Sequence, residues 1–254
     1  MPMNTYLNTV AQQLAPRGTL LAALNLSNFL LVSGQAPNGD WQGVAPEMAK
    51  AIATRLGVCL QFVTYQTPSE LAEAADTGAW NIGMIGADPA RAGKVSFTAA
   101  YVEIEATYLV PPGSALQHAK EVDRAGNRVA VFKGSAYDLW LVRNLAHAQL
   151  IHAGSFDEAF DRFRNEGLEA MASLTPKLVT DAPRWPGSRI LDGRFMAIQQ
   201  AVGTSKKNVE AARFLAGFVE QAKATGLVAG WIAQHNIRGL SVAAASASVS
   251  AAGS

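Results

Sequence analysis

The 254-residue chain has a single cysteine, Cys59. No intrachain disulfide can form and no thiolate cluster can hold a metal. Cys59 sits in the run Val58-Cys59-Leu60 with no histidine or basic residue beside it. It reads as a small buried hydrophobe and not as a reactive thiol. Histidine is almost as scarce. His118, His147, His152 and His235 are scattered and form no H-x-x-x-H or H-E-x-x-H pair, so no metal site is expected. Only 16% of residues are charged, while apolar residues reach 49%, a balance that argues against disorder. Twenty-one basic and 20 acidic residues leave a net charge of +1 with no block of one sign. A phosphate-tracking surface is therefore absent from the pattern, and no nucleic-acid partner is expected.

Long apolar runs are missing too. The longest, Leu20 to Val32, has thirteen residues broken by Asn25, Ser27 and Asn28. A membrane helix needs ~20, so this is a buried strand followed by a loop. Met1 to Pro16 carries no Lys or Arg and no continuous apolar core, which is not a secretory signal as written. The expected location is periplasmic if a leader has been removed, and cytoplasmic if the sequence is complete as given. The nucleophile elbow G-x-S-x-G, the dinucleotide fingerprint G-x-G-x-x-G and the P-loop are all absent. No cofactor is expected. Glu47, Glu103 and Glu105 are candidate acids or bases, yet nothing in the sequence pairs them. The chain reads as a binder of small molecules, and as a monomer.

What is present is alternation. Leu7, Val10, Ala11 and Leu14 form one helical stripe, stopped by Pro16 and Gly18. Strands over 19–24, 59–64 and 80–85 then alternate with helices over 46–56 and 68–76, and Gly57 stands where a left-handed cap belongs. This spacing predicts parallel strands with right-handed crossovers. Glu103 to Val110 reads as one long strand, ended by Pro111-Pro112-Gly113. A second series follows, with strands over 128–132, 149–152, 169–174 and 189–191 and helices over 135–146, 156–165 and 176–181. Phe195 to Val202 is extended, and helices over 208–224 and 226–235 close the pattern. Two α/β series joined by two long extended segments predict two lobes with a double-stranded hinge. Lobe one takes 1–104 plus 200–240, lobe two takes 105–199, and 241–254, rich in Ala and Ser, is a flexible tail.

Ligands in open α/β sheets lie beyond the carboxyl ends of the strands, so those ends hold the candidate residues. The first strand ends in Asn25-Leu26-Ser27-Asn28-Phe29, where the two amides either bond a polar ligand or close an Asx turn. The third ends in Gly86-Ala87-Asp88-Pro89-Ala90-Arg91. Asp88 with Pro89 reads as a helix start that offers N–H groups to an anion. Arg91 is either a two-pronged carboxylate clamp or a surface partner of Asp88. Lys133-Gly134-Ser135-Ala136-Tyr137 opens a helix in the second series, again with a glycine and a hydroxyl at its start.

These strand ends resemble the type II periplasmic solute-binding proteins of ABC importers, in the polar amino-acid group (family 3 extracellular solute-binding proteins). The likeness runs from Gly18 to about Leu240. It is clearest from Gly78-Ala79-Trp80-Asn81 through Arg91 to Phe97-Thr98-Ala99-Ala100-Tyr101, and in Gly43-Val44-Ala45-Pro46-Glu47-Met48 leading to Leu56-Gly57-Val58. The resemblance implies a two-lobed fold of the periplasmic-binding-protein type, closing on a small solute delivered to an ABC permease. It implies that Arg91 holds a ligand carboxylate with help from the backbone at Gly86 and Ala87, and that Gly134 and Ser135 assist, with Ala136 next to them. The sequence also departs from the family. Asp88 replaces a threonine, the loop before Arg91 is shorter, and Leu174 stands where an acid usually binds the ligand ammonium group. The aromatic that covers the ligand aligns near Asn28-Phe29. A small polar, carboxylate-bearing ligand is expected, with common α-amino acids bound weakly. The alternatives are an enzyme of the cyclohexadienyl dehydratase type on the same scaffold, or a cytoplasmic ligand sensor.

Overall fold

The computed structural model describes residues 3–246. The chain divides into two compact units, one running to Glu103 and resuming at Gln199, the other spanning Ile104–Ile198. Two long strands, β7 (Val102–Val110) and β12 (Met196–Ser205), contain the points of division.

In unit 1, β1 (Thr19–Asn25) pairs in parallel with β4 (Cys59–Tyr65) and with β5 (Ile82–Gly86). The far part of β12 runs antiparallel to β5, placing Gln200 opposite Gly86, and β6 (Val95–Phe97) adds to its other end. A separate two-strand ribbon joins β2 (Gly34–Gln35) to β3 (Trp41–Gln42). Helices α1 (Met3–Leu14), α2 (Val44–Leu56), α7 (Val209–Ala224) and α8 (Leu227–Gln234) share one core with β1, around Leu14, Leu24, Met48, Ile52, Leu215 and Val219. A smaller cluster joins α3 (Pro68–Glu73) to Ala23, Trp80 and Ile85, and the Trp80 indole donates to the Leu71 carbonyl at 3.0 Å.

Local chemistry sets the helix ends. Thr67 and Glu70 form a reciprocal capping box at α3. Gly57 takes the left-handed cap after α2, as its position predicts, with φ 66° and ψ 34°. Gly43 precedes α2 at φ 122°, and a Cβ there would lie 2.3 Å from the Leu31 carbonyl oxygen, so only glycine fits.

In unit 2, β8 (Arg128–Phe132) lies between β9 (Gln149–Ala153) and β10 (Ala170–Leu174), both parallel to it. β10 runs antiparallel to β7, and the short β11 (Arg189–Ile190) adds to β7. Helices α4 (Ala136–Asn144), α5 (Phe156–Asn165) and α6 (Thr175–Asp181) follow β8, β9 and β10. The apolar face of α5, Ala159, Phe160 and Phe163, fills the core with Leu109, Met171 and Leu178. Ser155 caps α5, with Asp157 and Glu158 in its first turn and Arg162 and Arg164 in its last, matching the helix dipole at both ends.

Three expectations need correction. Cys59 is exposed, because it opens β4, which lies at the margin of the sheet. Residues 241–246 are not a loose tail. β13 (Ser241–Val242) pairs with Val102 and Glu103 of β7, Ala243 is buried, and Lys223 and Glu220 of α7 bond the backbone at Ala244 and Ser246. The remainder of that segment, 247–254, lies outside the described residues. Asp88 and Pro89 open a turn and no helix. The Asp88 side chain accepts from the Ala90 N–H at 2.8 Å, and the chain enters β6 four residues after Arg91.

Candidate functional site

Parallel pairing in unit 1 brings the carboxyl ends of β1 and β5 side by side. Asn25, the last residue of β1, turns its side-chain oxygen onto Ser27, accepting from its N–H at 3.2 Å and its hydroxyl at 2.8 Å. The Asx turn is thus formed at Asn25. Asn28 differs. It is 8% exposed and its Oδ1 has no hydrogen-bond partner. Phe29 beside it is 38% exposed.

At the end of β5 the chain folds back on itself. Arg91 is 7% exposed and donates through Nη1 to the Gly86 carbonyl at 2.6 Å. Asp88 is 5% exposed, so the two charges face each other away from the surface and the guanidinium does not stand in open solvent. Burial pulls the Arg91 pKa down to about 10, opposed by the neighbouring Asp88 carboxylate. The Ala87 N–H donates to the Gln199 carbonyl at 2.7 Å, which corrects the expectation that this group is reserved for an anion. Gly86 is buried within the sheet. Two polar groups that sequence reasoning passed over lie nearby. Gln200 faces Gly86 across the ladder, Tyr101 donates its backbone N–H to the Gln200 carbonyl, and both Gln200 Oε1 and the Tyr101 hydroxyl are buried without a partner. Burial drives the Tyr101 pKa well above the ordinary phenol value. The one cue in the sequence was a glutamine pair inside an otherwise apolar extended run.

In unit 2 the loop after β8 is held by α4. Ser135 caps the helix, its hydroxyl accepting from the Asp138 N–H at 3.1 Å. The Asp138 carboxylate, 3% exposed, reaches back to accept from the Gly134 N–H at 2.7 Å and also meets His152 Nε2 of β9 at 2.9 Å. Ser135 and Ala136 are both buried. The Tyr137 hydroxyl lies beside Ser135 and Ser173, and burial raises its pKa. Tyr137 Oη, Ser173 Oγ and Thr175 Oγ1 are all buried, and the polar contacts of the phenol are with the two serines. Leu174, next to them, is buried and apolar.

A buried polar atom left unbonded costs ~1–3 kcal/mol and asks for a partner. Asn28 in unit 1 and Ser173 and Thr175 in unit 2 lie at or just after the carboxyl ends of strands, where α/β sheets receive ligands, whereas the unbonded atoms of Asp181, Glu220 and His235 lie on or after helices. Two of the three candidate acids are engaged in ion pairs. Glu47 pairs with Lys50 at 3.1 Å, Glu105 with Arg194 at 2.5 Å, and Glu103 lies on β7 opposite Ser241. No group of three His, Cys, Asp or Glu side chains among the described residues is placed to hold a metal. No described helix is long and apolar enough to cross a membrane.

The sequence profile of the bacterial extracellular solute-binding proteins, family 3, matches residues 29–235. The chain belongs to that family. A search of curated proteins by sequence finds no match. Solved structures share the fold of this family 3 solute-binding protein. An amino acid ABC transporter substrate-binding protein from Streptococcus pneumoniae, bound to L-arginine, is 19% identical with a TM-score of 0.70, covering 94% of this chain and 99% of that one. Holo ArgBP from T. maritima is 20% identical with a TM-score of 0.67, covering 87% and 99%. The ancestral amino acid-binding protein AncCDT-1, a precursor of cyclohexadienyl dehydratase, is 23% identical with a TM-score of 0.70, covering 89% and 98%. The two-lobed α/β fold expected from the strand pattern is the fold of these proteins.

Proposed function

We propose that this family 3 solute-binding protein captures a small polar, carboxylate-bearing solute and presents it to an ABC-type permease for import. Family membership carries the first part of this reading. The carboxylate rests on Arg91: its guanidinium is held at the end of β5 in a water-poor setting, where an arriving anion gains more than it would in bulk water. The bond to the Gly86 carbonyl fixes the orientation of the guanidinium fork. Asn28, with an unbonded buried oxygen, is the second contact proposed in unit 1, with Asn25, Phe29, Gly86, Ala87 and Asp88 shaping its surroundings. Ser135 and Ala136 are those proposed in unit 2. The protein works as a monomer, and in an exported form it works outside the inner membrane.

Thermal-shift screening against organic acids, amides and amino acids tests the reading. A ligand at a hundred times its dissociation constant adds ~2.7 kcal/mol to stability, a readily measured shift. A panel in which neutral amides bind and no carboxylate does would overturn the carboxylate assignment.

A further inference from the structure

One side of β4 is open. Among the described residues this strand lies at the margin of the sheet and pairs with β1 alone. The Cys59 N–H donates to the Gly18 carbonyl and the Tyr65 carbonyl accepts from the Leu26 N–H, so the odd-numbered residues aim their backbone groups at β1. Backbone groups alternate sides along a strand, which turns the N–H and C=O of Leu60, Phe62 and Thr64 outward. Native edges are ordinarily blunted by lysine, proline, a bulge or a very short strand. β4 has none of these devices. It runs for seven residues, Cys59-Leu60-Gln61-Phe62-Val63-Thr64-Tyr65, with no charge, no proline and no break in its register against β1. The free margin of unit 2 shows the contrast. There β9 has five residues, and Arg162 of α5 donates to the His152 carbonyl at 2.6 Å, on the side turned away from β8.

What fits this edge is a second copy of the same strand. Laid antiparallel to itself about Phe62, β4 places Leu60 opposite the partner's Thr64 and Phe62 opposite its own copy, and every outward N–H and C=O finds a bond. Leu60 and Phe62 are half-buried against the core on the α2 face of the sheet, so the two phenyl rings come side by side at the centre of the pair. The charges at the two ends match as well. Arg17 precedes Gly18 at the Cys59 end, and Glu70 accepts from the Gln66 and Thr67 N–H groups just past the Tyr65 end; both side chains are exposed. Antiparallel pairing brings each arginine to the end that carries the partner's Glu70, whereas parallel pairing would set like charges together. The two-fold arrangement uses the same edge on both copies, so association closes at two.

We propose that β4 is an interaction surface for a second copy of this chain, the two strands pairing antiparallel about Phe62. One chain remains the unit that captures solute; the edge adds self-association at high concentration, because a strand pair buries little surface. Sedimentation velocity should show monomer at ~3 µM and a substantial dimer fraction at ~300 µM, as befits a small interface. Thr64→Pro deletes an N–H that the single chain leaves unbonded, and Thr64→Lys puts a charge on the edge. Each should weaken dimerisation at least ~10-fold with the far-UV circular dichroism unchanged. The register is read on the chain without any substitution. Cys59, exposed and the only cysteine, takes a spin label on a face of the sheet and not along the edge. In the proposed pair the two Cys59 backbones lie ~20 Å apart along the strands, so label-to-label distances should centre at ~20–30 Å in the concentrated sample. That measurement decides should either Thr64 variant fail to fold. Monomer at both concentrations overturns the proposal. A dimer whose labels lie beyond ~40 Å, or one that folded Thr64 variants leave intact, also overturns it, because another surface would then hold the copies together.

Discussion

Asp138 is the group on which the loop after β8 depends, and its replacement should be costly out of proportion to its size. Its carboxylate is 3% exposed and takes two bonds, from the Gly134 N–H at 2.7 Å and from His152 at 2.9 Å. It also stands in the first turn of α4, where a negative charge is favoured by the dipole by up to ~1 kcal/mol. Hydrogen bonds to a charged group contribute ~1.5–3 kcal/mol each, and the burial of the carboxylate offsets part of that. Asp138→Ala should therefore lower stability by ~3–5 kcal/mol. At 2–4 °C per kcal/mol for a protein of this size, the Tm should fall by roughly 6–20 °C. Asp138→Asn retains one acceptor oxygen and should fall about half as far. His152→Ala removes only the outer partner, whose side chain is 38% exposed, and should cost ~1 kcal/mol or less. Circular dichroism melts of the three variants give the ranking. A His152→Ala variant as unstable as Asp138→Ala would show that the histidine, and not the Gly134 N–H, is the essential partner, and would refute this account.

Arg91→Ala should destabilise the ligand-free protein by ~2 kcal/mol, since its charge-assisted bond to the Gly86 carbonyl is lost; an unchanged Tm would mean that the guanidinium is not part of the fold. Tyr101, Tyr108 and Tyr137 all have pKa values raised by burial, with Asp123 adding to the effect at Tyr108 and Asp138 at Tyr137. Their contribution to stability is complete below pH 10 and is lost as pH rises above it, because the unfolded phenols ionise first. An absorbance titration to pH 11 should ionise at most Tyr6 and Tyr65 while the protein stays folded, and tyrosinate from all five in a folded sample would contradict the burial. Cys59 is exposed, so a thiol reagent should modify one cysteine per chain without denaturant; reaction only after unfolding would return it to the core.

The alternation of the longer strands and helices was legible because apolar runs are bounded by Gly and Pro, whereas the short strands β2, β3, β6 and β13 carry no such signal and were not expected. What the residues could not show was how individual polar groups are satisfied. Asn25 and Asn28 are the same residue type three positions apart, and both stood as equal candidates. The turn takes the oxygen of the first through Ser27 and leaves the second unbonded, a difference set by backbone geometry alone. Arg91 was visible as a cation after β5. That it folds back onto Gly86 follows from the tight turn through Asp88 and Pro89, which no residue count reveals. Ser173 was the least legible, a single hydroxyl inside the apolar run Ala170 to Leu174, where a small residue is as good a core filler as alanine. Its meaning comes from Tyr137, thirty-six positions earlier in sequence and adjacent in space. A buried polar atom without a bond is a property of the folded chain alone, because the deficit exists only once the sheet has brought its strand ends together.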